Sequence, residues 1–329
     1  MVGESSMKAI VITEPGEPAV LQIQERPMPE CGSGEVLIQV KAAGLNRPDV
    51  AQRQGLYPPP PGASVDIPGL EVSGIIQECG AQVDRWKKGD RVCALLSGGG
   101  YAEFVAVPAG QCLPIPEYLS FEEAASLPET VFTVWHNVFQ RAGLMSGETL
   151  LVHGGSSGIG ITAIQIAAAL GSKVVVTVGT EEKGLKCMEL GATGYVNYKE
   201  LDFEAALLEE GVDVVLDMVG GSYLDKNLNI LHPEGRIVYI NGMQGNLVKL
   251  NIAKLMQKRI TISGSTLRSR DVNFKSALAA EVEQYVWPLL GNGQFKPVIY
   301  RTFPLAEAAQ AHELLESSSH TGKIVLLNT

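Results

Sequence analysis

Basic runs, paired cysteines and long apolar stretches are all scarce in this sequence, and each shortage removes a class of function. Its 26 Lys and Arg stand against 36 Asp and Glu, a formal net charge of −10, with no dense Lys/Arg run anywhere. Nucleic-acid binders neutralise phosphates with a basic face, so no nucleic-acid partner is expected. The five cysteines (Cys31, Cys79, Cys93, Cys112 and Cys187) are odd in number, widely spaced and free of any CxxC pair. That spacing argues against a disulfide framework or a clustered metal lobe and fits a reducing compartment. Apolar stretches are interrupted by Gly or a polar residue well before the ~18 residues of a membrane span, so no membrane partner is expected. The opening MVGESSMKAIVIT shows neither a signal-peptide apolar block nor an Arg-rich presequence. A cytoplasmic location is therefore expected, with residues 1–6 a short disordered extension.

What remains is globular. The 329 residues are 45% hydrophobic and 19% charged, enough chain for two domains. The first third reads as β-rich: MKAIVIT, EVLIQVKAAG, VSGIIQECG, DRVCALL and YAEFVAV are short runs separated by Gly, Pro, Asp and Asn. Tyr57 is followed by four prolines and Gly62, which predicts a stiff surface loop, since proline lacks the N–H donor and fixes φ. No helical pattern is read before Ser120, where Ser-Phe-Glu-Glu has the spacing of a capping box.

From about residue 126 the pattern changes. TLLVHGG (149–155), KVVVTVG (173–179), VDVVLDMVG (212–220) and GRIVYING (235–242) are Val/Ile/Leu-rich without polar alternation. Such strands are buried on both faces, as in a parallel sheet covered by helices. Helical segments at Ile159–Leu170, Glu181–Leu190 and Phe203–Glu210 lie between them. The alternation predicts an α/β fold with a doubly wound parallel sheet. RITISGSTL (259–267) is read as its last strand, followed by helices near Phe274–Leu290 and Leu305–Leu315 and a final strand GKIVLLN. The expected division is a discontinuous β-rich domain, 1–125 with 269–329, around a nucleotide-binding domain, 126–268.

The main chemical signal is Gly154-Gly155-Ser156-Ser157-Gly158-Ile159-Gly160, where an apolar strand runs straight into an apolar helix. Glycine permits the tight turn, lets a pyrophosphate approach the backbone, and allows close helix–sheet packing. The helix N-terminus then faces the phosphates. Ile159, Ala163, Ile166 and Leu170 are expected to form the stripe against the sheet. The glycines follow G-x-x-G-x-G through Gly155, Gly158 and Gly160, and no Lys-Ser/Thr pair of a P-loop follows them. A dinucleotide site is expected. At the end of the second strand, where an NAD enzyme places an acid, stand Gly179 and Thr180, with Lys183 and Tyr198 further on. A carboxylate would repel a 2′-phosphate, whereas Thr, Lys and Tyr can donate to one, so NADPH is the expected cofactor despite Glu181 and Glu182 nearby.

With AAGLNRPDV, PGLEVSGII, KKGDRV and GYAEFVAV in this order, the sequence resembles the medium-chain dehydrogenase/reductase superfamily along nearly its whole length. The resemblance implies a GroES-like β domain before a Rossmann domain. Zinc alcohol dehydrogenases of that superfamily carry Cys where Asn46 stands and His where Leu70 stands, and a cysteine cluster where SGGGY stands. Asn and Leu offer no zinc ligand, so no metal is expected. His136 and His153 are read as core histidines. The pattern is similar to the zinc-free quinone oxidoreductase branch that includes zeta-crystallin; NRPDVAQRQGLYPPPPGAS, GGSYLDKNLNIL and STLRSRD resemble its NADPH-dependent quinone reductases. That implies reduction of a small-molecule quinone by one or two electrons, in a homodimer. It implies cofactor contacts at Asn46, Tyr57, Thr133, Ser157, Gly158, Ile159, Thr180, Lys183, Tyr198, Gly242, Leu267 and Lys323.

Hydride transfer to an electron-poor quinone needs proximity rather than a Lewis acid. Asn46, Tyr57 and Val131–Trp135 are expected to line the substrate cleft, with the nicotinamide near Gly242 and Met243. Tyr57 is the one candidate acid and Asn46 a candidate orienting group. The open edge at 259–267 is expected to pair with a second copy, as superfamily dimers do and as an apolar edge requires. Two other functions remain open at this point: reduction of α,β-unsaturated carbonyls or enoyl thioesters, and non-catalytic NADPH binding of the crystallin kind.

Overall fold

Runs of β-branched residues without polar alternation become, as expected, one parallel sheet. The computed structural model describes residues 6–328; the extension expected at the start falls outside them except for Ser6, which already begins a strand. The chain divides into two compact units. One runs to Phe132 and takes in Leu267–Gln284 and the chain from Pro297 on; the other comprises Thr133–Thr266 and Tyr285–Lys296.

In the second unit six strands lie in the order Gly194–Asn197, Lys173–Val178, Thr149–His153, Val212–Asp217, Leu231–Tyr239, Thr261–Gly264, all parallel. The chain starts in the middle, winds outward one way, then returns and winds the other. The strand order reverses beside Thr149–His153, and in such sheets ligands bind at the carboxyl ends of the strands next to that reversal. The glycine-rich turn begins there. In its helix, Gly158–Ala169, the expected stripe is buried only at Ala163 and Ile166; Ile159 is half-buried, as is Leu170 just past the helix end, while Ile161, Thr162, Ile164 and Gln165 are buried as well. The burial spreads round the middle of the helix, as a mostly apolar helix requires.

The first unit holds a seven-stranded, largely antiparallel sheet running from Ile299–Pro304 through Lys323–Leu327, Glu35–Gly44, Glu71–Cys79 and Arg91–Leu95 to Cys112–Pro114, with Phe104–Pro108 paired to Glu35–Gly44. Its core gathers Ile10, Val36, Ile38, Val72, Ile76, Val92, Ala311 and Ile324.

Three expectations need correction. A helix, Arg47–Arg53, precedes Ser120; Asp49 accepts the backbone N–H of Asn46 at 2.8 Å, closing its first turn. The helix expected over Phe274–Leu290 is two, Val272–Tyr285 and Trp287–Gly291, because Pro288 cannot continue the first. The last strand covers only Thr261–Gly264. Arg259, at φ +53, ends the helix Ile252–Lys258 in the left-handed region, and Leu267 lies beyond the strand. Among the described residues no helix is long and apolar enough to cross a membrane.

Candidate coenzyme and substrate sites

Gly154 leaves the strand Thr149–His153 at φ +82, a conformation glycine adopts without steric cost. A Cβ on Gly155 would stand 2.4 Å from the Val176 Cβ, and one on Gly160 2.4 Å from the Gly155 carbonyl oxygen. The turn is thus pressed against the neighbouring strand, and the helix start against the turn. Ser157 Oγ accepts the Gly160 N–H at 3.0 Å and donates to the Gly154 carbonyl at 2.8 Å. In the first helical turn the N–H groups of Gly158 and Ile159 have no acceptor within the helix and carry its positive end. A pyrophosphate fits this cradle.

A buried chain braces it. Asn227 Nδ2 donates to Asp217 at 2.9 Å, so Asn227 Oδ1 accepts from His153 Nε2 at 2.8 Å, and His153 Nδ1 accepts from the Thr177 hydroxyl at 3.2 Å. The Thr177 oxygen in turn receives the Gly154 N–H at 3.2 Å. These directions leave the proton on Nε2. Burial holds His153 below the usual histidine range, so it is neutral. His153 belongs to the scaffold, as read from the sequence; the buried His136 lies beside Gln140.

The second strand, Lys173–Val178, ends in a polar cluster. Thr180 caps the helix Glu181–Glu189 by accepting the Lys183 N–H at 3.3 Å. Gly179 carries no side chain because a Cβ there would meet Tyr198 Oη at 2.8 Å and Lys199 Cε at 3.6 Å. Burial, and then the Lys199 charge, hold Lys183 below the usual lysine range. Thr180, Lys183 and Tyr198 therefore come together, and Lys199 joins them. The sequence reading missed Lys199, although its only signal, a lysine directly after Tyr198, was visible. Two ammonium groups and a phenol suit a 2′-phosphate better than a ribose hydroxyl.

In the first unit Asn46 and Lys323 also meet. Lys323 Nζ donates to the Leu45 carbonyl at 2.9 Å, Asn46 Oδ1 at 2.7 Å and Glu71 Oε1 at 2.6 Å, which occupies all three of its N–H groups. Asn46 Nδ2 donates to the same Glu71 oxygen at 2.9 Å, and the other Glu71 oxygen accepts the Glu129 N–H at 2.9 Å. The Asn46 amide is locked at both ends. Asp49 takes three donors: the N–H groups of Asn46 and Gly69 and the Tyr101 hydroxyl at 3.2 Å. Burial nevertheless pushes its carboxyl up to about 6.

Tyr57 is half-buried, its ring under the Arg268 guanidinium at 5.3 Å. Burial raises its phenol above the usual range, the Arg268 charge works against that, and the Glu129 charge adds to it. Glu129 itself is pushed up to about 8, by burial first and then by Glu71. It bears a proton at neutral pH. Sequence reading missed Glu129, for one acid at the start of an apolar helix looks only like a helix-dipole partner. Of the other expected contacts, Thr133 is half-buried and its carbonyl accepts from Asn137 Nδ2 at 2.8 Å. Gly242 lies in the turn after Leu231–Tyr239, where a Cβ would meet Asn246 Oδ1 at 2.3 Å, and Leu267 is buried. Leu70, at the second expected zinc position, is a core side chain. Among the described residues no three His, Cys, Asp or Glu side chains are grouped so as to hold a metal ion.

Known proteins match along the whole chain. The alcohol dehydrogenase GroES-like domain matches residues 32–117 and the zinc-binding dehydrogenase domain residues 190–326. Quinone oxidoreductase from Mus musculus is 37% identical over 339 aligned positions, covering 99% of both chains. The crystal structure of Escherichia coli quinone oxidoreductase complexed with NADPH superposes with a TM-score of 0.87 at 29% identity, over 98% of this chain and 100% of that one. The CurK enoyl reductase superposes with a TM-score of 0.86 at 27% identity, over 98% and 99%.

Proposed function

The chain belongs to the quinone oxidoreductase family, the zeta-crystallin-like branch of the medium-chain dehydrogenase/reductase superfamily, and we propose that it reduces quinones with NADPH and without metal assistance. The observation that carries the cofactor half is the side-chain-free turn Gly155–Gly160 together with Thr180, Lys183, Tyr198 and Lys199 at the next strand end. NADPH, when bound, supplies the hydride. Gly155, Ser157, Gly158, Ile159 and Gly160 hold the pyrophosphate, while Lys183, Lys199 and Tyr198 hold the 2′-phosphate. Thr133, Gly242 and Leu267 are assigned to the nicotinamide half.

On the substrate side, Asn46 presents an amide fixed by Lys323 and Glu71, and Tyr57 a phenol that stays protonated at neutral pH. Lys323 positions Asn46, since its own donors are spent. A quinone needs no Lewis acid, and its reduced oxygens take protons from water. Asn and Leu at the expected ligand positions suit that chemistry and would not suit alcohol oxidation. The likeness to an enoyl reductase supports a second reading, reduction of enones or enoyl thioesters, in which Tyr57 protonates the α-carbon.

The protein is further proposed to act in the cytoplasm as a homodimer through the Thr261–Gly264 edge. Leu247, Ile252 and Met256, close to that edge in sequence, are exposed, Leu247 by 96%. An open strand edge with apolar neighbours is covered in a stable protein.

The deciding experiment is NADPH oxidation with a quinone panel and with alkenals, for the wild type and Tyr57→Phe, with and without chelator. Quinone turnover that survives Tyr57→Phe and chelation supports the first reading. A loss confined to alkenals supports the second, NADPH bound but never oxidised leaves a binding protein, and chelator sensitivity overturns the metal-free assignment.

A further inference from the structure

We infer that the first unit carries a second binding site, for an amphipathic small-molecule anion, in the cavity walled by Arg268 and Lys275. The half-open cavity has a volume of about 790 Å³, within the ~300–1,000 Å³ usual for small-molecule sites. Its wall residues all belong to this one unit. Pro60, Pro61, Ile67 and Phe104 supply apolar wall. Arg268 follows Leu267 in STLRSRD, and its own side chain has no role in the proposed hydride transfer beyond its contact with the Tyr57 ring.

The two cations are the unusual feature. Arg268 is 6% exposed and Lys275 2%. Buried charges are normally paired, because desolvation is costly without an opposite charge. Among the described residues neither has a carboxylate within ion-pair distance. Their partners are neutral. Arg268 donates to the Ser97 carbonyl at 2.8 Å and Gln52 Oε1 at 2.5 Å, and at long range to the Tyr57 carbonyl at 3.4 Å. Lys275 donates to Ser97 Oγ at 2.6 Å and the Arg268 carbonyl at 2.8 Å. Guanidinium and ammonium N–H groups are left over.

The nearby acids act on the two cations only from beyond ion-pair distance, Asp49 on Arg268 and Asp271 on Lys275. Glu129 bears a proton at neutral pH. Asp49 is occupied by Asn46, Gly69 and Tyr101. Asp271 caps the helix Val272–Tyr285 through the Phe274 N–H at 2.8 Å, and Glu35 accepts the Gly32 N–H at 3.0 Å. Of the other wall cations, Arg26 is paired with Asp66 at 2.9 Å, and Arg270 lies over the Phe274 ring at 4.4 Å. A chain of net charge −10 thus keeps two buried cations without a directly paired carboxylate beside a cavity whose wall is partly apolar. A carboxylate or phosphate on an apolar body satisfies both halves of the wall.

The test is calorimetric titration of the full chain with decanoate, decanol and inorganic phosphate, with and without saturating NADPH. Decanoate should bind at least ~10-fold tighter than either control and equally well beside NADPH. Arg268→Gln should weaken it at least ~10-fold. Ala63→Glu leaves the buried hydrogen bonds intact and sets a carboxylate near the Arg268 guanidinium, where a Cβ on Gly98 would lie 3.5 Å from Arg268 Nη2 and 3.7 Å from the Ala63 Cβ; it should weaken binding likewise. No heat with decanoate, equal binding of decanol or phosphate, competition by NADPH, or wild-type affinity in both folded variants would each overturn the site.

Discussion

In the proposed coenzyme site, Lys183 is the residue whose charge bears most directly on coenzyme choice. Replacing it with Ala removes one charge-assisted contact, of ~1.5–3 kcal/mol. The expected result is a ~10- to 100-fold rise in KM for NADPH with little change for NADH, checked by steady-state kinetics with both coenzymes. Glu129 gives a prediction about pH. Its carboxyl rises from 4.5 to about 8 on folding, so between those values the native state binds the proton more tightly than the unfolded chain. Stability is therefore lost as pH rises through that window. Asp49, raised from 3.8 to about 6, adds to the loss at the lower end. Glu129→Gln keeps the uncharged form, so urea unfolding should give similar stability to wild type near pH 5 and ~1–3 kcal/mol more near pH 9. Lys183 and Tyr198 were legible in the sequence because they follow strand ends at the expected spacing. Glu129 was not, because its shift comes from burial first and then from Glu71, which is remote in sequence.

Among elements, the Gly154–Gly160 turn with its helix was the most legible, since strand, glycines and apolar helix follow without a break. Gly160→Ala should abolish tight NADPH binding and lower stability by ~1–3 kcal/mol, because its Cβ would strike the carbonyls of Gly154 and Gly155 at 2.5 and 2.4 Å. Coenzyme fluorescence and thermal unfolding check the two halves. The helix Arg47–Arg53 was missed because its seven residues are too few to display a period, leaving Asn-Arg-Pro-Asp as the only start signal. The edge strand was read too long for a different reason. Its β-branched run extends on paper from Arg259, but the left-handed Arg259 and the departure of the chain after Gly264 confine the pairing to four residues.

For the whole molecule, the proposed dimer predicts a sedimentation mass near twice 35.1 kDa at micromolar concentration. Ile262→Pro, which removes a donor from the edge, or Leu247→Asp should shift it toward one chain. A single-chain mass for the wild type would remove the dimer from the account. The sequence by itself determined the β-rich unit, the parallel sheet and the glycine-rich turn, because period, glycine spacing and proline act over a few neighbouring residues. Tertiary structure alone decided that Lys323 spends its donors on Leu45, Asn46 and Glu71, that Glu129 keeps its proton, and that Arg268 and Lys275 share a cavity wall without a directly paired carboxylate. Those outcomes depend on burial and on charges brought together from distant parts of the chain, and neither is a local property of sequence.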